Sequence, residues 1–257
     1  MKSAWSASGW PAHAAMPPFD AAAETLAPRG DGGTAMHSYW AGTGHSGLAV
    51  GVTGHRPPHL APEHLARLRA QAQQLLRGLR EAQGPTVRPR LVSALAEGAD
   101  RHLAELALAD GYTLHAVLPF LKAQYAADFG TPASVHEFER LLLRAWSVLE
   151  LPGDRAHGDH AYEAAGHAVL EQSDVLIAVW DGAPARGRGG TAAMVVEAWR
   201  RRVPVLHLSA RCDAAPTLLW AADEDAANAP LDLERLPDQP CDHDVLCRIV
   251  ASRTARR

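Results

Sequence analysis

From residue 48 onward, short apolar runs alternate with longer stretches in which apolar residues recur every three or four positions. Short apolar runs between turn-forming residues predict buried strands, and the longer amphipathic stretches predict helices. The strands are expected at residues 48–53, 90–94, 112–118, 147–151, 175–180 and 204–208. The helices are expected at residues 62–81, 99–109, 122–129, 133–145, 160–172 and 191–201. Such an alternation is typical of an α/β protein.

The run Val175–Trp180 is the strongest strand prediction, because every residue in it is apolar. A strand without a polar face is typical of the centre of a parallel sheet that helices cover on both sides. Strand–helix–strand units join parallel strands by right-handed crossovers. The pattern therefore predicts a doubly wound, mostly parallel, Rossmann-like α/β sheet with helices on both faces.

The composition divides the chain into three parts. Residues 1–46 are rich in Ala, Gly, Pro and Ser and show no periodicity, which predicts a flexible N-terminal arm. Residues 47–210 carry the strand–helix alternation and form the predicted Rossmann-like domain. Residues 211–257 carry a weaker pattern, with an edge strand expected at 218–222 and a helix at 242–252. We expect this C-terminal extension to pack on the domain or to be partly disordered.

Charge and residue usage narrow the classes of partner. The formal net charge of −4 is spread over both signs, so no nucleic-acid partner is expected. No apolar run approaches the roughly 20 residues of a membrane-spanning helix, so no membrane partner is expected either. The three cysteines lack CxxC spacing, which favours a reducing, cytoplasmic location. The histidines lack a metal-ligand spacing, and neither a metal nor a cofactor is expected.

Glycines and charged residues gather where the predicted strands end. In an open parallel sheet, ligands bind outside the carboxyl ends of the strands, where helix N-termini expose free N–H groups. The residues at these ends are Gly54, His55 and Arg56, then Gly98, Asp100 and Arg101, and then Asp181, Gly189, Gly190 and Thr191. Glycine lets the backbone N–H groups approach an anion closely. We therefore predict that the three segments converge on one electropositive site for a phosphate-bearing ligand.

Each segment also has a plainer interpretation. Asp100 lies in the first turn of its predicted helix, where the helix dipole stabilises a carboxylate. Asp181 followed by glycine is a common turn sequence. The glycines before Thr191 can serve a tight turn without binding anything, and Thr191 itself can cap the following helix.

The runs GVTGHR, SALAEGADR, LPF, DVLIAVWDG and GGT, taken in this order, resemble the SLOG superfamily. That superfamily includes the Lonely Guy phosphoribohydrolases and the Rossmann domain of DNA-processing protein A. The resemblance covers residues 48 to about 209 and implies a Rossmann-like sheet that binds a nucleotide or a nucleotide-derived molecule. The matching positions are the ten strand-end residues named above.

The sequence departs from the phosphoribohydrolases at both of their catalytic positions. Their motif PGGxGTxxE places a glutamate three residues after the threonine, where this chain has Met194. The next glutamate, Glu197, lies six residues after Thr191 and about 60° further round the helix. The arginine that those enzymes carry before the glycine strand is also missing, because no arginine occurs between Arg155 and Arg186.

Two functions are compatible with these observations. The first is binding and sensing of a nucleotide-derived ligand, such as AMP or ADP-ribose, in a bacterial signalling or conflict system. The second is N-glycosidic hydrolysis of nucleoside monophosphates, with Glu197 or Asp181 as candidates for the catalytic carboxylate. The vacant catalytic positions favour the first, with a homodimer or a separate effector protein as the expected macromolecular partner.

Overall fold

The computed structural model describes residues 47–184, 189–221, 228–229, 231–232 and 239–254. The predicted N-terminal arm and parts of the C-terminal extension lie outside the described residues. The predicted division of the chain into three parts therefore stays a prediction.

The described residues contain one sheet of eight strands, in the order β4-β3-β2-β1-β5-β6-β7-β8. The strands are β1 Ala49–Gly54, β2 Arg90–Ser93, β3 Thr113–Leu118, β4 Ser147–Glu150, β5 Val175–Trp180, β6 Val205–Ser209, β7 Thr217–Leu219 and β8 Gln239–Pro240. Strands β1 to β6 pair in parallel, whereas β7 and β8 add an antiparallel edge. The predicted Rossmann-like α/β fold is confirmed.

The helices follow the predicted alternation with strands. They are α1 Leu65–Gln83, α2 Ala99–Ala109, α3 Lys122–Ala126, α4 Pro132–Arg144, α5 Gly158–Glu171, α6 Thr191–Arg200 and α7 His243–Thr254. Helix α1 begins later than predicted because Pro57–His59 and Pro62–His64 form two short 3-10 turns before it. Helix α3 ends at Ala126, so the helix expected at 122–129 is shorter than predicted.

Strand β5 separates two layers of packed side chains. Its residues alternate between the two faces of the sheet, so Val175, Ile177 and Val179 pack in the larger core with α1 and α2. Leu176, Ala178 and Trp180 pack in a second core with α6. All six residues of the strand are buried, as the unbroken apolar run predicts.

The position of β1 determines where a ligand can bind. Strand β1 pairs with β2 on one side and with β5 on the other, so the chain reverses its direction of winding between β1 and β5. A crevice opens at such a switch point because the connections leave toward opposite faces of the sheet. The loops after β1, β2 and β5 therefore meet at one edge.

Candidate functional site

A cavity of about 800 Å³ lies at the carboxyl ends of β1, β2 and β5. This volume falls within the range of small-molecule and cofactor sites. Eight of the ten predicted ligand-binding residues line it, namely Gly54, His55, Arg56, Asp100, Asp181, Gly189, Gly190 and Thr191. The structure thus brings all three predicted segments to one cavity.

His55 and Asp181 join the ends of β1 and β5. The His55 Nε2 atom lies 3.0 Å from Oδ1 of Asp181 and 3.2 Å from the backbone nitrogen of the same residue. The same Oδ1 accepts a hydrogen bond of 3.0 Å from the backbone N–H of Ala183. The Asp181 side chain is only 5% exposed. The pair therefore fixes the imidazole ring against the cavity wall.

Arg56 supplies a cation beside aromatic rings. Its Cζ atom lies 5.3 Å from the centre of the Tyr162 ring, a distance at which a cation is attracted to the ring face. Burial lowers the pKa of Arg56, but the Tyr125 and Tyr162 hydroxyl groups and the Asp100 carboxyl group outweigh it, so the pKa lies above its ordinary value. Arg56 therefore stays charged at neutral pH.

Tyr162 is itself held in place from behind. Its hydroxyl group donates a hydrogen bond to Oδ2 of Asp128. The other oxygen of that carboxylate accepts a hydrogen bond of 2.7 Å from Nε of Arg155. Burial, followed by the bond to Asp128, raises the pKa of Tyr162. The Tyr162 ring is therefore fixed at the cavity wall, where the Arg56 guanidinium group lies over it.

Asp100 places a buried carboxyl group in the same cavity. The residue is 4% exposed, and its Oδ2 atom accepts a hydrogen bond of 3.1 Å from the Ser93 hydroxyl. Burial raises the pKa of Asp100 from 3.8 to about 7, although Ser93, the Ala96 N–H group and the nearby arginines favour the charged form. A carboxyl group that is partly protonated at neutral pH can donate a hydrogen bond to an anion.

The segment from Gly189 to Thr191 opens helix α6. The first hydrogen bond of this helix runs from the Met194 N–H to the Gly190 carbonyl oxygen, at 3.2 Å. The N–H groups of the three residues before Met194 therefore have no carbonyl partner within the helix. Gly190 stands at the N-cap position and offers no side-chain cap. These N–H groups and the positive end of the helix dipole favour an anion.

Gly189 must be glycine for two reasons. Its φ angle is 69°, in the left-handed region. A Cβ atom would also lie 2.6 Å from the backbone nitrogen of Glu163 in α5. This close approach places the start of α6 directly beside the backbone of Tyr162 and Glu163 in α5.

Replacing Gly189 with alanine is expected to destabilise the protein more than replacing Gly111. Both glycines have a positive φ, so each substitution costs about 1–2 kcal/mol of conformational energy. Only at Gly189 does the new Cβ meet backbone, because nothing lies within 4 Å of a Cβ built at Gly111. Urea unfolding of the two variants measures the difference. Equal losses would show that the loop can move away from α5 at no cost.

Two predicted ligand-binding residues do not line the cavity. Gly98 has a φ of 92°, and its Cβ would lie 2.7 Å from the His55 carbonyl oxygen, so it lets the β2–α2 loop pack against the loop after β1. Arg101 is 1% exposed and donates hydrogen bonds to the carbonyl oxygens of Leu95 and Ser134 at 3.0 and 2.8 Å. Its Nη1 atom also lies 3.0 Å from Oε2 of Glu137. The geometry of Arg101 is that of an internal link between α2 and α4.

Of the two candidate catalytic carboxylates, only Asp181 lies in the cavity. Glu197 is turned toward the end of its own helix, where Oε1 accepts a hydrogen bond of 2.7 Å from Nε of Arg201. Met194, which occupies the position of the family's glutamate, does line the cavity. An apolar thioether therefore stands where the resemblance would place a catalytic carboxylate.

The site also contains residues that the strand-end pattern does not identify. Tyr125 on α3 is 1% exposed, and burial, together with the nearby Asp100 carboxyl group, raises the pKa of its hydroxyl. Ser93 holds the Asp100 carboxyl group from the end of β2. Tyr125 and Tyr162 lie on helices rather than at strand ends. Their position at the cavity depends on how these helices pack against the sheet, which the sequence pattern does not give.

Together, the fold and the cavity define a Rossmann-like α/β protein with a cavity at its switch point. A comparison with models of known protein families gives no match, and a comparison with curated proteins gives none either. Several solved structures are similar to this chain at low identity.

One is DNA processing protein A from Streptococcus pneumoniae, at 17% identity and a TM-score of 0.42, with 63% of this chain and 50% of that chain covered. Another is DNA processing protein A from Helicobacter pylori, at 19% identity and a TM-score of 0.39, with 62% of this chain and 64% of that chain covered. A third is the Moco carrier protein of Chlamydomonas rheinhardtii, at 20% identity and a TM-score of 0.36, with 63% and 77% covered. The resemblance to the SLOG superfamily remains the one that the sequence motifs predict.

The expectation that nucleic acid is not a partner is wrong. The Helicobacter pylori protein, to which this chain is similar, has a single-stranded DNA binding mode. The expectation rested on the formal net charge of −4. Net charge is a sum over the whole surface, whereas binding depends on the local potential, so the sum excludes no partner.

As for membranes, the helices among the described residues are all too short or too polar to cross one.

Proposed function

We propose that this protein binds a nucleotide or a nucleotide-derived ligand, such as AMP or ADP-ribose, and acts as a sensor of that ligand. The observation that carries the proposal is the convergence of three separate loops on one cavity of about 800 Å³. This cavity combines a fixed cation, an open helix N-terminus and a pair of fixed polar side chains. A phosphorylated sugar offers a complementary group to each.

The phosphate group is assigned to the end of the cavity near Tyr162. Arg56 lies over this ring, and Gly189, at the start of α6, packs against the backbone of Tyr162 and Glu163. A phosphate there would receive hydrogen bonds from the guanidinium group and from the first N–H groups of α6. Asp100 in its protonated form would add a further donor, whereas its charged form would repel the ligand.

The sugar is assigned to the His55–Asp181 pair. Acidic residues at strand ends often bind ribose hydroxyl groups in nucleotide-binding folds. His55 and Asp181 are held 3.0 Å apart at the ends of neighbouring strands, so both can contact adjacent hydroxyl groups without rearranging. A site that is fixed before binding loses less conformational entropy when the ligand arrives.

A thermal-shift panel tests the proposal. At 100 times its Kd, a ligand that binds only the folded state stabilises it by about 2.7 kcal/mol, which raises the Tm by about 5–10 °C. The panel contains AMP, ADP-ribose, other mononucleotides and a single-stranded oligonucleotide. If no member raises the Tm, the proposed function is wrong.

The Arg56→Gln substitution should weaken the binding of any ligand that raises the Tm. Losing a charge-assisted hydrogen bond costs about 1.5–3 kcal/mol, which corresponds to about a 10- to 100-fold higher Kd. The matched control is Arg144→Gln, which removes the same charge from an exposed position at the end of α4. Titration calorimetry compares the two variants with the unchanged protein. Equal Kd values for the two variants would show that Arg56 does not contribute to ligand binding.

N-glycosidic hydrolysis remains a second candidate function through Asp181 alone. The Asp181 carboxylate lines the cavity, whereas Glu197 does not. Chromatography would reveal the free base after incubation with nucleoside monophosphates. Under this alternative the release would stop in the Asp181→Asn variant and continue in the Glu197→Gln variant. Binding without release of base would leave the sensor function as the one supported.

A further inference from the structure

The cavity extends well below the strand ends into an apolar inner compartment. Six residues line this part, namely Ala165, Gly166, Val169, Leu170, Leu176 and Met194. Leu176 stands four residues before Trp180 in β5, so the compartment reaches about 13 Å below the end of that strand at about 3.3 Å per residue. None of these six described lining residues is charged.

Small residues keep this compartment open between α5, α6 and the sheet. Ala165 and Gly166 face it from α5, where larger side chains would fill it. A Cβ atom at Gly166 would lie 2.5 Å from the Met194 sulfur, so the Met194 side chain crosses directly over the Gly166 backbone. Methionine is flexible and polarisable, and can adapt its shape to an apolar group beside it.

Empty apolar space in a protein interior costs stability, since native cores are otherwise closely packed. Val169, Leu170 and Leu176 are each at most 2% exposed, yet all three border the cavity. The charged groups Arg56, Asp100 and Asp181 all stand at the strand ends, outside the inner compartment. The cavity thus has a polar, anion-binding mouth and an apolar interior.

We propose that the inner compartment binds an uncharged aromatic or aliphatic group of the same ligand whose anionic group is bound at the mouth. The assignment of the anionic end rests on the proposed function, whereas the apolar end rests on the lining of the compartment alone. The ligand is therefore amphipathic, with a phosphate or similar anion joined to a flat or extended apolar part. A phosphorylated sugar without such a part would leave the compartment unfilled.

Two probes separate the two ends of the cavity. Inorganic pyrophosphate presents only the anion, and 8-anilinonaphthalene-1-sulfonate presents an anion joined to aromatic rings. We expect the dye to bind with a stoichiometry of one and with increased fluorescence. The Ala165→Leu substitution, which fills the compartment, should raise the Kd of the dye at least tenfold and leave that of pyrophosphate unchanged. The control is Ala164→Leu, at an exposed position one residue earlier on the same helix.

The outcomes distinguish this inference from the proposed function. If Ala165→Leu and Ala164→Leu bind the dye equally well, the inference is wrong, while binding of pyrophosphate and nucleotides would still support the proposed function. If neither pyrophosphate nor any nucleotide binds, but Ala165→Leu still excludes the dye, the proposed function is wrong. The inference that the compartment binds an apolar group would then still be supported. Should Ala165→Leu not fold, Met194→Ala is expected to bind the dye several-fold more tightly, because it enlarges the compartment. An unchanged dye affinity in folded Met194→Ala would overturn the inference.

Discussion

Replacing Asp100 with asparagine will stabilise the protein at pH 8 by as much as about 4 kcal/mol. The Asp100 carboxyl group is buried, and burial raises its pKa from 3.8 to about 7. Each pKa unit corresponds to about 1.4 kcal/mol, so holding this group ionised in the folded state at pH 8 costs about 4 kcal/mol relative to the unfolded state. Asparagine removes the charge and keeps an oxygen that can accept the Ser93 hydrogen bond.

The pH dependence gives this prediction its sign. Below about pH 4 the group is protonated in both states and makes no difference. Between about pH 4 and pH 7 the folded state holds the proton that the unfolded state has lost, so the free energy of unfolding falls as the pH rises. In Asp100→Asn this fall should disappear, and urea unfolding from pH 4 to pH 8 would show it. The matched control Asp213→Asn, at an exposed carboxylate, should keep the fall.

The same substitution should strengthen the binding of an anionic ligand above pH 7. The ionised carboxylate shares the cavity with Arg56 and opposes an anion there.

The stability prediction would be contradicted if Asp100→Asn were less stable than the unchanged protein at pH 8. In that case Arg56 and Arg101 would stabilise the charged form of the carboxylate. Together with the Ser93 and Ala96 hydrogen bonds, these arginines would then outweigh the cost of burying the charge.

The convergence of the loops after β1, β2 and β5 could be predicted from sequence for a simple reason. The carboxyl ends of parallel strands lie at one edge of a sheet, and the apolar run Val175–Trp180 identified the strand at its centre. Residues directly at these ends, such as Gly54, His55 and Asp181, therefore had little freedom to lie elsewhere. The fold class and most of the predicted ligand-binding residues followed from this one constraint.

Residues on helices were harder to place, because position along a helix decides which way a side chain points. Neighbouring helical residues project about 100° apart, so Asp100 and Arg101 point in different directions. Asp100 lines it, and Arg101 turns toward α4. On α6, Met194 lines the cavity, whereas Glu197 points elsewhere and pairs with Arg201. Helical geometry was available from sequence, but which face of each helix met the cavity was not.

The inner apolar compartment could not be predicted at all. It depends on how closely α5 and α6 approach each other, and that distance is determined by the contact between Gly166 and Met194. These residues are far apart in sequence, and no motif indicates that they touch. The proximity of Asp100 and Tyr125 could not be predicted either, since it joins residues of two different helices, α2 and α3.

Replacing Arg101 with methionine is expected to cost about 3–5 kcal/mol of stability without changing ligand affinity in the folded protein. The guanidinium group is buried, lies 4.2 Å from the centre of the Phe129 ring and forms the described links to Leu95, Ser134 and Glu137. Methionine keeps the apolar contact with the ring but leaves buried carbonyl oxygens without their donor. Each buried acceptor left without its donor costs about 1–3 kcal/mol, so losing both carbonyl hydrogen bonds accounts for a cost of this size.

Arg140→Met is the matched control, because Arg140 also lies between α2 and α4 but is 44% exposed and pairs with Glu105 near the surface. An exposed ion pair contributes about 1 kcal/mol or less. Urea unfolding measures the stability of both variants, and calorimetry measures the Kd of the ligand found in the panel. If Arg101→Met proves as stable as Arg140→Met yet loses the ligand, then the sequence-based assignment of Arg101 to ligand binding is correct. In that case its internal hydrogen bonds only hold the guanidinium group ready for the ligand.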